Sequence, residues 1–525
     1  MTQTPARTPE TNTTGRGPIR NFLESIGMAV LMAVLLKYFA IEAYVIPTPS
    51  MQPTLMGSPA AGETDRILVD KSYFLFHEPK RWDIAVFRYP VRQMQSYVKR
   101  IVGIGGDRLK VANGNLYNVT DSGPEILRKP EHVQESLWRE IYPMRRQLGL
   151  YTKEEDDPWR APRRDEVFGG DYFRILNGQW DIDADGTWIG TPTGSGNLEV
   201  EYRESFARND YSDGYDLAVA ALVRDTEGDQ AVQDLRIGFD VTSDVVPQKI
   251  IVSINIRERD TTFAIEIGGG TARLVATRAS TTASSEEFPF SLGAGDTTQV
   301  KFAHVDDRLT AWQDGDIVGS LDVDDFAILD DLEEIRPRIR VEGAKSPVAM
   351  SDVTVERDLH YTSAGLARAG EIIQVPEGHY FMMGDNTLGS ADSRDWTAVR
   401  IGVDEEGQIV NPDTHENARI LWGNKRPKPF DTGDAPHDDD NPVPLRLDDR
   451  VVFVDQLGET RTLQGRIDDK TWGTTELVGF EDDGGNSWYA KEEPMPFVRR
   501  EHIQGRPIAI FLRSAWALKF TGWIR

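Results

Sequence analysis

The chain has no cysteine among its 525 residues. Disulfides, metal–thiolate sites and cysteine-protease chemistry are therefore excluded, although the lack of cysteine identifies no compartment. Histidine is scarce too, at eight residues. These lie far along the chain with no G-x-S-x-G elbow to accompany them, which argues against a Ser/His/Asp hydrolase. Basic residues are few beside acidic ones, 59 against 85, for a net charge of −26. That balance disfavours a nucleic-acid partner and offers no broad basic face for anionic lipid. ATP and dinucleotide fingerprints are missing as well. Gly103-Ile104-Gly105-Gly106-Asp107 lacks the required spacing and following helix, so it reads as a turn, and no cofactor or metal is expected.

What the chain does have is a serine between two prolines. In Ile46-Pro47-Thr48-Pro49-Ser50-Met51-Gln52-Pro53-Thr54-Leu55 the prolines oppose helix and predict a rigid, extended backbone at a cleft edge. A serine hydroxyl needs a base. The candidate is Lys99, inside the apolar run Tyr97-Val98-Lys99-Arg100-Ile101-Val102, which is patterned as a strand. An ordinary lysine is almost wholly protonated at neutral pH, but burial can lower its pKa by several units. On its own this lysine fits an edge residue reaching water better than a desolvated base. A third segment runs from Gly378 through Gly384-Asp385-Asn386 to Ser390-Ala391-Asp392-Ser393-Arg394. Ser390, Asp392 and Arg394 alternate, so an extended chain would place them on one face. A surface turn held by an Asp–Arg pair is the plain alternative.

Taken together, these segments resemble the bacterial type I signal peptidases. The family pattern S-M-x-P-T-L is met at Ser50–Leu55, its Y-[VI]-K-R strand at Tyr97–Arg100, and its G-D-N-x-x-x-S-x-D-S-R turn at Gly384–Arg394. Arg81-Trp82-Asp83-Ile84-Ala85-Val86-Phe87 and Phe497 to Ile508 resemble two further family strands. The resemblance implies a serine endopeptidase with Ser50 as nucleophile and Lys99 as general base. It also implies an oxyanion site from the Ser50 N–H and the Thr48 hydroxyl. Ser390 would orient Lys99, supported by Asp392, Arg394 and Asp385. Ile46, Leu55 and Val98 would line small apolar substrate pockets. The expected substrates are preprotein signal peptides. Two positions depart from the pattern: Pro49, where many members have Gly or Ser, and Trp82, where Gly is usual. Rival readings are a self-cleaving repressor-type Ser/Lys protease and an inactive, membrane-anchored glycan- or protein-binding scaffold.

The expected fold class is mainly β. Residues 1–20 read as a disordered cytoplasmic tail, and 21–43 as a single transmembrane anchor in a lipid bilayer. Few basic residues follow that segment, which predicts a cell-membrane protein with its N-terminus inside and its catalytic bulk outside. The peptidase core is assigned to 44–120, 371–400 and 494–513, with a helix-prone connector at 121–165. Short alternating strands separated by Gly/Asp turns predict an inserted β-sandwich at 166–362. It resembles the concanavalin/laminin-G jelly rolls, whose partners would be a glycan or a protein. Residues 401–493 read as a second insertion with a small β module, and 514–525 as an aromatic tail with Trp516, Phe520 and Trp523 at helical spacing. Asp181-Ile182-Asp183-Ala184-Asp185-Gly186 starts like a calcium loop, but Pro192 replaces the twelfth-position Glu, so a hairpin turn is expected.

Overall fold

The computed structural model describes residues 18–35, 40–58 apart from 53, 63–142, 168, 172–203, 230–330, 332, 334–415, 417–423, 445–467 apart from 448, 449 and 465, 477–481, 487–512 and 522–524. Strands dominate it. A first antiparallel sheet runs in the order Ile41–Val45, Arg66–Asp70, Ile503–Leu512, Ile84–Tyr89, Arg92–Ile104, His379–Met383 and Phe497–Arg499, with Gly522–Trp523 added beside Ile503–Leu512. Successive strand residues point to opposite faces. Accordingly Ile84 and Val86 join one apolar cluster with Ile46, Leu55 and Ile67, while Ala85 and Phe87 join another with Ile101 and Met382. Burial on both faces explains the unbroken apolar run Ile84-Ala85-Val86-Phe87. Arg92–Ile104 pairs with this strand so that Lys99 lies opposite Ala85 and Arg100 opposite Ile84.

Beside this sheet, Ile373–Gln374, Arg108–Ala112, Asn115–Thr120 and Gly123–Ile126 form a smaller antiparallel one. The chain then builds two larger sheets between Arg139 and Arg357. Buried residues of both, including Ile237, Phe239 and Met350 from one and Val252, Ile265 and Ile339 from the other, share one hydrophobic core. This is a sandwich of antiparallel sheets. Gln179–Ile182 and Trp188–Thr191 form a hairpin in it. In the hairpin turn Asp183 accepts hydrogen bonds from the Asp185 and Thr187 N–H groups at 3.0 and 2.8 Å. Between residues 397 and 494 lie a sheet led by Thr397–Val403 and a three-stranded sheet of Leu445–Leu447, Arg450–Val454 and Thr460–Gln464.

Several expectations need correction. The segment expected to anchor the chain, 21–43, forms a helix at Pro18–Leu35 and is already a strand from Ile41. Among the described residues no helix is long and apolar enough to cross a membrane. The helix-prone stretch from Glu131 to Leu150 is helical only over Glu131–Leu137, because Arg139–Tyr142 pairs with Val348–Arg357 as a strand; residues 143–150 lie outside the described residues. The helical spacing of the C-terminal aromatics fails at Trp523, which pairs with Ala509 in the first sheet; Trp516 and Phe520 lie outside the described residues.

Candidate active site

Ser50 sits in a 3-10 turn, Pro49–Met51, rather than in extended chain. Pro49 occupies the first helical position, where the missing N–H is no loss and the fixed φ suits the turn. The Gln52 N–H closes it on the Pro49 carbonyl at 3.1 Å. Met51 and Leu55 are fully buried against Ile67, Val69 and Ile84, so the loop is nailed to the sheet on either side of the serine. Ser50 Oγ lies 3.2 Å from Thr48 Oγ1.

Lys99 comes from the middle of the strand Arg92–Ile104 and is only 3% exposed. Its Nζ donates to Ser390 Oγ at 3.0 Å. Burial lowers the amine to about 8, with Asp392 pulling the other way and Arg394 adding to the fall. No hydrogen bond joins Lys99 directly to Ser50. The two are brought together through Gly384: a Cβ built there would stand 2.3 Å from both Ser390 Oγ and the Ser50 carbonyl oxygen. Those two oxygens therefore lie within twice that distance of each other, and only glycine permits the approach. The Asn386 N–H donates to the same Ser50 carbonyl at 3.2 Å.

Ser390, Asp392 and Arg394 do not share one face of a strand. Residues 384–395 are turn and loop, and these side chains meet by burial. Arg394 grips Asp392 through Nε and Nη2, both at 2.8 Å, and the Gly384 N–H donates to the same carboxylate at 3.1 Å. Burial opposes the charge on Asp392, but the Arg394 guanidinium outweighs it and holds the carboxyl below its usual range. Asp385 is held by Arg100 through Nε at 2.8 Å and Nη2 at 2.7 Å, with both side chains fully buried. It also accepts from Thr54 Oγ1 on the serine loop.

Ile46, Leu55 and Val98 fall in one apolar cluster beside the serine loop. Sequence reasoning missed Arg100, Thr54 and Gly384. An arginine inside an apolar strand demands a buried acid, which was the available signal for Arg100. Trp82 is a further surprise. It is buried, its φ is +76°, and its carbonyl accepts from Arg100 Nη1 at 2.9 Å.

Chemically, the site offers a hydroxyl on a fixed turn, an amine kept near neutrality by burial, and a braced glycine turn between them. That set can activate an oxygen nucleophile without metal ligands.

A family model described as signal peptidase, peptidase S26, matches residues 19–174 and 333–411. The signal peptidase I of Leptolyngbya laminosa is 30% identical over 132 residues, covering 22% of this chain and 62% of the relative. That of Pseudomonas fluorescens is 26% identical over 161 residues, 28% of this chain and 55% of the relative. That of Aquifex aeolicus (strain VF5) is 32% identical over 121 residues, 20% and 45%. The chain thus spans about half the length of these curated relatives, and it contains a signal peptidase I-like domain. Among solved structures, the carbohydrate binding module CBM66 from Bacillus subtilis is 10% identical, covering 35% of this chain and 94% of that one. Its TM-score of 0.24 is too low to bear on fold or function.

Proposed function

We propose that this chain is a serine endopeptidase that removes N-terminal signal peptides from exported preproteins through a Ser50/Lys99 dyad. The observation that supports it most is the Lys99 amine, 3% exposed, lowered to about 8 and hydrogen-bonded to Ser390 at the turn carrying Gly384. In the first step the neutral amine takes the Ser50 proton while Oγ attacks the scissile carbonyl. The resulting oxyanion is met by the Ser50 N–H and by Thr48 Oγ1, which turns from Ser50 Oγ to do so. The Lys99 ammonium then gives its proton to the departing amine as the C–N bond breaks. An acyl-enzyme remains on Ser50. In the second half, Lys99 takes a proton from water, the hydroxide attacks the ester, and the proton returns to Ser50 as it leaves. Ser390 keeps the amine aimed throughout, and Asp392 with Arg394 fixes Ser390's turn. Ile46, Leu55 and Val98 supply apolar contact for small residues before the cut.

Membrane association belongs to the same reading. The helix Pro18–Leu35 leaves Phe22, Leu23, Met28 and Leu31 more than half exposed, an apolar surface suited to lipid.

The experiment is cleavage of a preprotein with Ala-x-Ala before the cut, by the full chain and by Ser50→Ala and Lys99→Ala. Both variants should be inactive. Cleavage retained by either one rejects the dyad.

A further inference from the structure

The inserted sandwich is bonded into the catalytic turn, and the joint runs through Trp82. The backbone of Trp82 faces the active site: its N–H donates to the Ile101 carbonyl at 2.7 Å and its carbonyl holds Arg100 at 2.9 Å. Arg100 in turn holds Asp385, flanked by the two residues, Gly384 and Asn386, that touch the Ser50 carbonyl. The indole turns the other way. Its Nε1–H donates to the Arg128 carbonyl at 3.2 Å, Lys129 Nζ stands 5.4 Å from the ring centre, and Tyr361 lies against the ring at 6.5 Å.

Those contacts mark both arms of the insert. Arg128 and Lys129 precede the first sandwich strand, while Tyr361 follows the last. Lys129 is clamped in turn by Asp306 and Asp358. The outgoing arm also reaches the catalytic turn directly. Thr387 Oγ1 donates to the His360 carbonyl at 2.7 Å, and Arg394 Nη1 donates to the Thr362 hydroxyl at 2.7 Å. Trp82 therefore touches both arms with its side chain while its backbone holds Arg100. A bulky residue at φ +76° is a strained choice where glycine would sit freely. The backbone is held there by Ile101 and Arg100, and the indole packs against Arg128, Lys129 and Tyr361, the segments that lead into and out of the sandwich.

We propose that Trp82 is a positioning residue: it couples the seating of the inserted sandwich, through Arg100 and Asp385, to the alignment of the turn that meets Ser50. The inference rests on the peptidase reading of Ser50 and Lys99. In it the sandwich sets catalytic competence, and a partner that shifts the sandwich would change turnover more than substrate affinity.

The test compares full-length Trp82→Gly and Trp82→Phe with wild type. Glycine accepts the backbone conformation and deletes the indole, whereas phenylalanine keeps a ring against Lys129 and Tyr361. The readouts are kcat and KM on the preprotein, and hydrogen exchange at the Gly384 and Asn386 amides. Trp82→Gly should lower kcat about tenfold, equivalent to about 1.4 kcal/mol, with KM within twofold. Exchange at both amides should quicken, and Trp82→Phe should restore most of each value. A Trp82→Gly protein with wild-type kcat and unchanged exchange overturns the coupling. If Trp82→Gly does not fold, Trp82→Leu is decisive in the same way: a lower kcat at constant KM supports the coupling, and wild-type values overturn it. Faster exchange in a chain whose wild type cleaves no preprotein would sink the peptidase reading and leave the coupling standing. Ser50-dependent cleavage with neither readout altered would do the reverse.

Discussion

Lys99→Met should inactivate the protein and stabilise it. The amine is 3% exposed and its pKa falls from 10.5 to about 8, mainly through burial. A fall of that size corresponds to about 3 kcal/mol of unfavourable interaction with the charged form. Because the folded pKa lies below the unfolded one, the folded state binds fewer protons between pH 8 and 10.5, and stability rises with pH across that window. Below pH 8 the penalty is fully present; above 10.5 it is gone. Methionine has similar length and no charge, so it should remove the penalty while losing the hydrogen bond to Ser390, worth about 1 kcal/mol. The net gain at pH 7 should be about 2 kcal/mol, read as a higher urea midpoint, and should vanish by about pH 11. Wild-type cleavage should rise with pH and level off above about 8, as the neutral amine becomes the main form. A variant no more stable than wild type at pH 7, or a rate flat between pH 6 and 9, would refute a desolvated base at this position.

Asp385→Asn should destabilise the core by about 3–5 kcal/mol, since it strands the fully buried Arg100 guanidinium; an unchanged denaturation midpoint would contradict this. Gly384→Ala should reduce kcat more than tenfold in a folded protein, because the new methyl would stand 2.3 Å from Ser390 Oγ and the Ser50 carbonyl; cleavage at the wild-type rate would show the turn to be tolerant. In the sandwich, burial foremost raises Asp307 from 3.8 to about 7, against the pull of His304. Its folded pKa exceeds the unfolded one, so stability should fall as pH rises from about 4 to 7. Asp307→Asn should flatten that decline in thermal melts at pH 5 and pH 8; equal slopes for the two proteins would count against it.

The sequence made the chemistry legible more readily than the architecture that supports it. Ser50 and Lys99 stand out because a proline-flanked serine and a lysine in an apolar strand each need a reason, whereas Ser390 is singled out by the family resemblance. The structure brings Lys99 and Ser390 to hydrogen-bond distance across 291 residues. Local pattern failed where tertiary contact decides. The prolines near Ser50 argue against helix, yet one of them begins a 3-10 turn. The alternation of Ser390, Asp392 and Arg394 predicts one shared face in extended chain, but a buried network of charged hydrogen bonds holds a loop there instead. Arg100 was passed over because neighbours on a strand point to opposite faces, so nothing local groups it with Lys99. It becomes functional only because the turn after Gly384 reaches both residues. Trp82 carries the same lesson further. As a letter in the sequence it is a departure from a glycine, with no chemistry of its own. Its meaning lies in a conformation suited to glycine, with its indole packed against Arg128, Lys129 and Tyr361 on the segments leading into and out of the inserted sandwich. A substitution at a strained position is informative when the side chain there packs against a different part of the fold, because the position then reports whether that part is in place.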